Sequence, residues 1–307
     1  MPPSISRNTG ILATLATAFI WAWPMIFIRM LSYDFDIYTQ SFYRYLSACV
    51  FFLIFSMIFM RHELVRAARN VKLLVVPSLL VAFFQMFNVA GVYMTNASVV
   101  GIANRINTLF IVLFSYLLFS EERRVIKSRY FIIANLFVIT GIAGLTMGAT
   151  ELDLEFNMGV VMVLIGAVFW AAYIISLRRI VNTLEPLGAF PIIQFLAALV
   201  FLPIVLVSGD LLKVAEVSIQ TNIILVVSGV ICVGLGNITN YIAIKHLGST
   251  IPASILTFKP ILTILFAYII LGEVLTTFQL LSGLLLLVGC WIIVAKVVTR
   301  YTGTEMR

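Results

Sequence analysis

A chain of 307 residues that is 62% hydrophobic and only 11% charged is too apolar for a soluble domain, in which about a quarter of residues carry charge. Its mean hydropathy of +1.11 describes an integral membrane protein, and its net charge of +7 reads as a topological label rather than a nucleic-acid footprint. The three cysteines, Cys49, Cys232 and Cys290, all lie in apolar runs without metal-ligand spacing, so neither a metal nor another cofactor is expected.

The opening MPPSISRNTG is too short and polar for a separate signal peptide, and no small-residue cleavage site follows the first apolar run. That run is therefore expected to remain as a helix. Ten apolar spans are predicted, at 10–31, 38–60, 72–94, 97–119, 127–148, 157–177, 186–207, 220–244, 249–271 and 275–298. Each approaches or exceeds the roughly 20 residues that cross a ~30 Å hydrocarbon core. With both termini placed in the cytoplasm, fifteen of the 20 Lys and Arg fall inside, Arg29 and Lys213 fall outside, and Arg44, Arg105 and Lys259 lie within spans. The stretch RHELVRAARNVK between the second and third spans reads as a short interfacial helix.

The two halves echo one another. Ala18-Phe19-Ile20-Trp21 recurs as Ala167-Val168-Phe169-Trp170, and Arg29 falls on Arg178, at an offset of 149. Arg44 to Ala48 falls on Gln194 to Ala198 at 150, Phe114 to Glu121 falls on Phe266 to Glu273 at 152, and Gly141 falls on Gly289 at 148. Residues 1–150 and 151–307 thus read as two five-span repeats. Five is odd, so the second repeat enters the membrane from the opposite side. The predicted fold is an all-α membrane protein of ten helices in two inverted repeats, with a site expected where the repeats meet near the midplane.

The sequence resembles the drug/metabolite transporter superfamily, in its EamA-domain form. The resemblance is carried by FIWAWPMIFIR (Phe19 to Arg29), its echo VFWAAYIISLRR (Val168 to Arg179), the stretch Ala243 to Thr276 and LLSGLLLLVGCWIIV (Leu280 to Val294). It implies a ten-helix carrier. Relatives commonly have Glu-Pro before a run ending in Gly-Glu; here Pro260, Gly272 and Glu273 match, but Lys259 stands in place of the acid and Asn107-Thr108 at the equivalent pair. Those departures bar the transfer of a substrate from any one relative.

Polar residues deep in the spans are the candidates for substrate binding. Lys259 lies ten residues past Ser249, so about 15 Å into its span at ~1.5 Å per residue. An ammonium there costs at least ~2.5–3.5 kcal/mol. Gln85 and Asn88 share a helix face, as do their repeat mates Asn237 and Asn240 at an offset of 152. Gly101, Asn104, Arg105 and Thr108 form another face. Arg44 either joins the site or snorkels to the outer interface. Trp21 and Trp170 are too deep for an interfacial belt and either pack or line the cavity. Pro260, Pro252 and Pro24 are the main candidate helix breaks, with Pro191 and Pro203 as further bend points.

No Asp or Glu falls within a span, so the buried cations are expected to face amides, hydroxyls, water or a bound anion. This inventory favours alternating-access transport of a small anionic or zwitterionic metabolite, such as an organic acid, an amino acid, a phosphate ester or a nucleotide-like compound. A flippase for a lipid or lipid-linked headgroup, and an exporter of hydrophobic or cationic drugs, are the alternatives. A membrane enzyme is not favoured: His62 and His246 lie at helix ends, and no paired carboxylates or phosphate-binding loop appears. The expected partners are a small-molecule substrate and the bilayer of a bacterial or archaeal plasma membrane, without nucleic acid, the chain being a monomer or homodimer.

Overall fold

The computed structural model describes residues 3–94, 104, 106–147, 158–259, 262 and 277–298, and every element among them is helical. Proline decides where the first apolar run divides. Helix α1 (Pro3–Ile20) ends in a turn over Trp21 to Trp23, and Pro24 opens α2 (Pro24–Leu31) at a position where no intrahelical N–H is required. Asp36 then caps α3 (Ile37–Phe59), its carboxylate accepting from the Tyr38 and Thr39 N–H groups at 2.8 and 2.9 Å. The charged connection forms the short helix α4 (Arg61–Arg69), and α5 (Val71–Met94) follows. The rest of this half comprises α6 (Ile106–Leu118), α7 (Ser120–Ile126) and α8 (Arg129–Met147).

The second half holds α9 (Met158–Ile180), α10 (Pro186–Ser208) and the short α11 (Lys213–Glu216). Pro191 and Pro203 both lie inside α10, where each removes a backbone N–H without ending the helix. Helix α12 (Ile219–Val227) widens into a π segment over Ser228–Leu235 before α13 (Gly236–Leu247). Helix α14 (Thr250–Ile255) tightens into a 3₁₀ turn at Leu256–Phe258. The last helix, α15 (Thr277–Ile292), ends in a π turn over Ile293–Val298.

Among the described residues six helical stretches are long and apolar enough to cross a membrane: Arg7–Leu31, Ile37–Phe59, Val71–Met94, Val161–Ile180, Pro186–Ser208 and Ile219–Leu247. Two shorter apolar stretches, Ile106–Leu118 and Arg129–Gly141, join them. Packing pairs the halves reciprocally. Helix α1 lies on α13 and α5 on α9, which are exchanged mates under the repeat, while α3 lies on α10, α6 on α14 and α8 on α15. A two-fold exchange of the halves produces this pattern, in which contacts between i and j recur between their mates. Small residues let the backbones close. A Cβ at Gly229, in the π segment, would overlap the Arg44 carbonyl oxygen and the Ser47 hydroxyl of α3.

Candidate functional site

The break between α1 and α2 turns Trp21 and Pro24 toward the middle of the bundle. There they wall a cavity of about 120 Å³, measured as the space open to the centre of a water molecule. That is room for several waters or a small ligand, since one water needs roughly 10–15 Å³ on this measure. Helix α3 contributes Arg44 and Tyr45, and α5 contributes Phe84, Gln85 and Asn88. Asn104, Asn107 and Thr108 come from the start of the α6 region, and Trp170 from α9. The π segment and α13 supply Cys232, Val233 and Asn237, and the 3₁₀ turn and its end supply Leu256 and Lys259. Both repeats build the walls, so the cavity lies where they meet.

One side is aromatic. Trp21 and Trp170, repeat mates, meet edge to face with centroids 5.2 Å apart, and Trp170 also touches Phe84 at 4.6 Å and Tyr173 at 5.3 Å. The Trp21 indole N–H donates to the Cys232 carbonyl at 3.0 Å. Widening of the helix at this point leaves carbonyls for side chains to satisfy, and the Val233 carbonyl likewise accepts from Gln194 at 3.2 Å and Asn237 at 2.7 Å. The Lys259 ammonium stands 5.7 Å from the centre of the Trp21 ring.

Arg44 does not snorkel. It is 2% exposed, and its Nε and Nη1 have no hydrogen-bond partner among the described residues. A charge in that position is expensive without a counter-group. Among the described wall residues there is no Asp or Glu. The amides divide by role. Asn104 donates to the Asn88 side-chain oxygen at 2.8 Å, leaving its own oxygen, like that of Asn107, buried without a hydrogen-bond partner among the described residues. The Gln85 nitrogen is likewise buried without a partner among the described residues. Asn237, by contrast, is committed at both ends: it donates to the Val233 carbonyl, and its oxygen accepts from the Tyr173 hydroxyl at 3.2 Å. It braces the wall.

Three expectations are corrected. Asn240 is 1% exposed and is not part of the wall. Asn237 is the last residue of α13 in the wall, and the ~4.5 Å rise of three further residues takes Asn240 past it along the same face. Pro252 is no helix break: it lies in the first turn of α14, where a missing N–H costs nothing. Glu122, which falls between the fourth and fifth predicted spans and is therefore not counted among buried groups, is 5% exposed, so the chain does hold a buried carboxylate. It lies outside the cavity wall. Arg105 and Pro260 fall outside the described residues.

Sequence reasoning gave Asn107 no role of its own, yet its position exactly one repeat offset of 152 from Lys259 was the available signal. Phe84 and Cys232 carried no signal, being apolar or soft residues in apolar runs.

A solved structure described only as "Crystal structure of protein" aligns with a TM-score of 0.74 over 93% of this chain and 96% of its own, at 15% identity, a likeness of fold alone. No curated protein matches the sequence. The sequence model of the EamA-like transporter family matches residues 8–147 and again residues 157–295, one match for each half that packs reciprocally around the cavity. With nearly its whole length covered by that doubled match, and with its long apolar helices, the chain is an integral multi-pass membrane protein that belongs to the EamA-like transporter family.

Proposed function

We propose that this transporter carries a small anionic or zwitterionic metabolite, held in the cavity between the repeats by Arg44 and Lys259. The observation that carries the reading is Arg44: a guanidinium 2% exposed, with Nε and Nη1 unpartnered among the described residues, in the same wall as Lys259 and with no carboxylate beside it there. A guanidinium grips a carboxylate or phosphate through two parallel hydrogen bonds, whereas an ammonium acts as a point charge. Gln85 adds a donor, and the Asn104 and Asn107 oxygens offer acceptors to hydroxyl or amino groups on the substrate. The aromatic side formed by Trp21, Trp170 and Phe84 receives its apolar part.

The membrane arrangement of this reading has ten spans in two inverted repeats, with both termini in the cytoplasm of a bacterial or archaeal plasma membrane. The excess of Lys and Arg in the connections assigned to the cytoplasm supports it. Rocking of the repeats about the cavity would expose the site alternately to each side. A thermal-shift screen of the purified protein tests the charge class, because a ligand that binds only the folded state raises its stability. Succinate, glutamate or glucose 6-phosphate is expected to raise the unfolding midpoint. Stabilisation by putrescine or tetraphenylphosphonium alone would refute the reading.

A further inference from the structure

Glu122 sits outside the cavity, yet it is among the most completely bonded side chains in the protein. Its Oε1 accepts from the Ser249 N–H at 2.9 Å and the Ser249 hydroxyl at 2.7 Å. Its Oε2 accepts from the Thr250 N–H at 2.9 Å and from the Thr250 hydroxyl. The Ser115 hydroxyl of α6 lies 2.7 Å from that of Ser249. Arg178, at the end of α9, brings Nε to 3.4 Å from Glu122 and Nη2 to 3.5 Å from Glu121. Gly248 has a φ of +77°, and a Cβ there would stand 2.9 Å from the Glu122 carboxylate, so the chain needs glycine to reach this grip.

The position of this cluster matters as much as its bonds. Glu122 belongs to the first repeat, and Ser249 and Thr250 to the second. Ser115, Ser249 and Thr250 are 0–1% exposed, whereas Glu121 beside them is nearly half exposed, so the cluster lies at the edge of the protein interior. Ala253, just under one helical turn beyond Thr250, is already a cavity wall residue, and Lys259 follows along the same segment. Along α14 the cluster is therefore only three residues, ~4.5 Å, from the cavity wall, and that is the thickness of the barrier at this end. Two kinds of contact close it: the hydrogen bonds of Glu122 and, beside them, an apolar cluster in which Leu247, Ile251 and Ile255 pack with Val125, Phe131 and Ile293. Hydrogen bonds to a carboxylate are among the stronger ones, and water can replace them, so they suit a closure that is firm yet reversible.

We propose that Glu122 is the releasable clasp between the repeats. Closed, it holds the start of the segment bearing Lys259 against the first repeat and seals this end of the cavity; released, it opens that end. Glu122 is a positioning residue, acting through α14 and without contact to the substrate. The inference rests on the carrier reading but not on the charge of what is carried.

The test uses the full chain with Cys49, Cys232 and Cys290 replaced by alanine and with Ala253→Cys as a reporter, reconstituted in vesicles of known orientation. A charged, membrane-impermeant methanethiosulfonate is applied from each side in turn. Glu122→Gln places an amide nitrogen against the Ser249 or Thr250 donors, so labelling of the reporter is expected to rise at least tenfold, and only from the side bearing Glu122. Thr250→Val, which removes one hydroxyl donor and keeps the shape, shifts the rate in the same direction by less. Glu122→Asp restores much of the parent rate. Unchanged labelling in a monodisperse Glu122→Gln protein, or in Thr250→Val if the first variant does not fold, overturns the clasp. A rise of equal size from both sides also overturns it, since that is general loosening. Absence of binding by any anionic probe would instead strike the charge reading and leave these rates as they are.

Discussion

The Lys259 ammonium stands 5.7 Å from the centre of the Trp21 ring, so a cation from the second repeat is seated on an aromatic face from the first. Such a contact contributes about 0.5–1 kcal/mol when exposed and ~2 kcal/mol when desolvated. Trp21 is itself held by its N–H to the Cys232 carbonyl at 3.0 Å. The two roles separate by substitution. Trp21→Phe keeps a ring for the ammonium but loses the donor, and it is expected to weaken binding of a stabilising anion only about threefold. Trp21→Leu loses both and is expected to weaken it roughly tenfold, about 1.4 kcal/mol. Titration of the ligand by thermal shift reads both.

Arg44→Met is expected to separate stability from function. Even a buried ion pair is often replaced by apolar side chains at no loss or with a gain of about 1–4 kcal/mol, and Arg44 has no carboxylate beside it among the described wall residues to offset its burial. The ligand-free variant should therefore unfold at the wild-type temperature or a few degrees above it in the same detergent. Its affinity for the anion should fall at least tenfold. A variant that is destabilised and still binds would show that Arg44 braces the fold.

How far the sequence foretold this arrangement depended on what each residue does locally. The repeat offsets brought Trp21 to Trp170 and Asn107 to Lys259, and each of these residues lines the cavity, because repeated segments occupy equivalent places about a two-fold arrangement. Charge in an apolar run pointed to Lys259 and left Arg44 open between cavity and interface, since depth alone does not give the direction of a side chain. Helical spacing grouped Asn237 with Asn240 but could not show where along that face the wall ends. Glu122 was missed because its burial comes from partners 127 and 128 residues away in sequence, Ser249 and Thr250. The π segment at Ser228–Leu235 had no sequence signal beyond its glycines.

Glycine contacts give a further prediction. At Gly229 an added Cβ meets the Arg44 backbone and the Ser47 hydroxyl, whereas at Gly91 it meets a methyl of Val163, a buried β-branched side chain held to one rotamer in its helix and not a wall residue of the cavity. Gly229→Ala should therefore cost about 1–3 kcal/mol of stability, as overpacking typically does, and should weaken ligand binding through the displaced Arg44. Gly91→Ala should cost a similar amount and leave affinity unchanged. Thermal unfolding with and without ligand distinguishes the two.

Lys259→Met and Lys259→Glu test the charge on the second repeat. Methionine keeps the bulk of the stem and is expected to lower anion affinity about tenfold. Glutamate reverses the charge and is expected to abolish anion binding and to admit a small cation. Equal anion binding by both variants would remove Lys259 from the site.

The most direct test of the two-cation cavity is counterflow in proteoliposomes, using whichever of succinate, glutamate or glucose 6-phosphate stabilises the wild-type protein. Wild-type vesicles preloaded with the unlabelled compound should accumulate the labelled one transiently and saturably. Arg44→Met and Lys259→Met vesicles containing the same amount of folded protein should not. Counterflow of an anion at the wild-type rate in both variants would contradict the assignment.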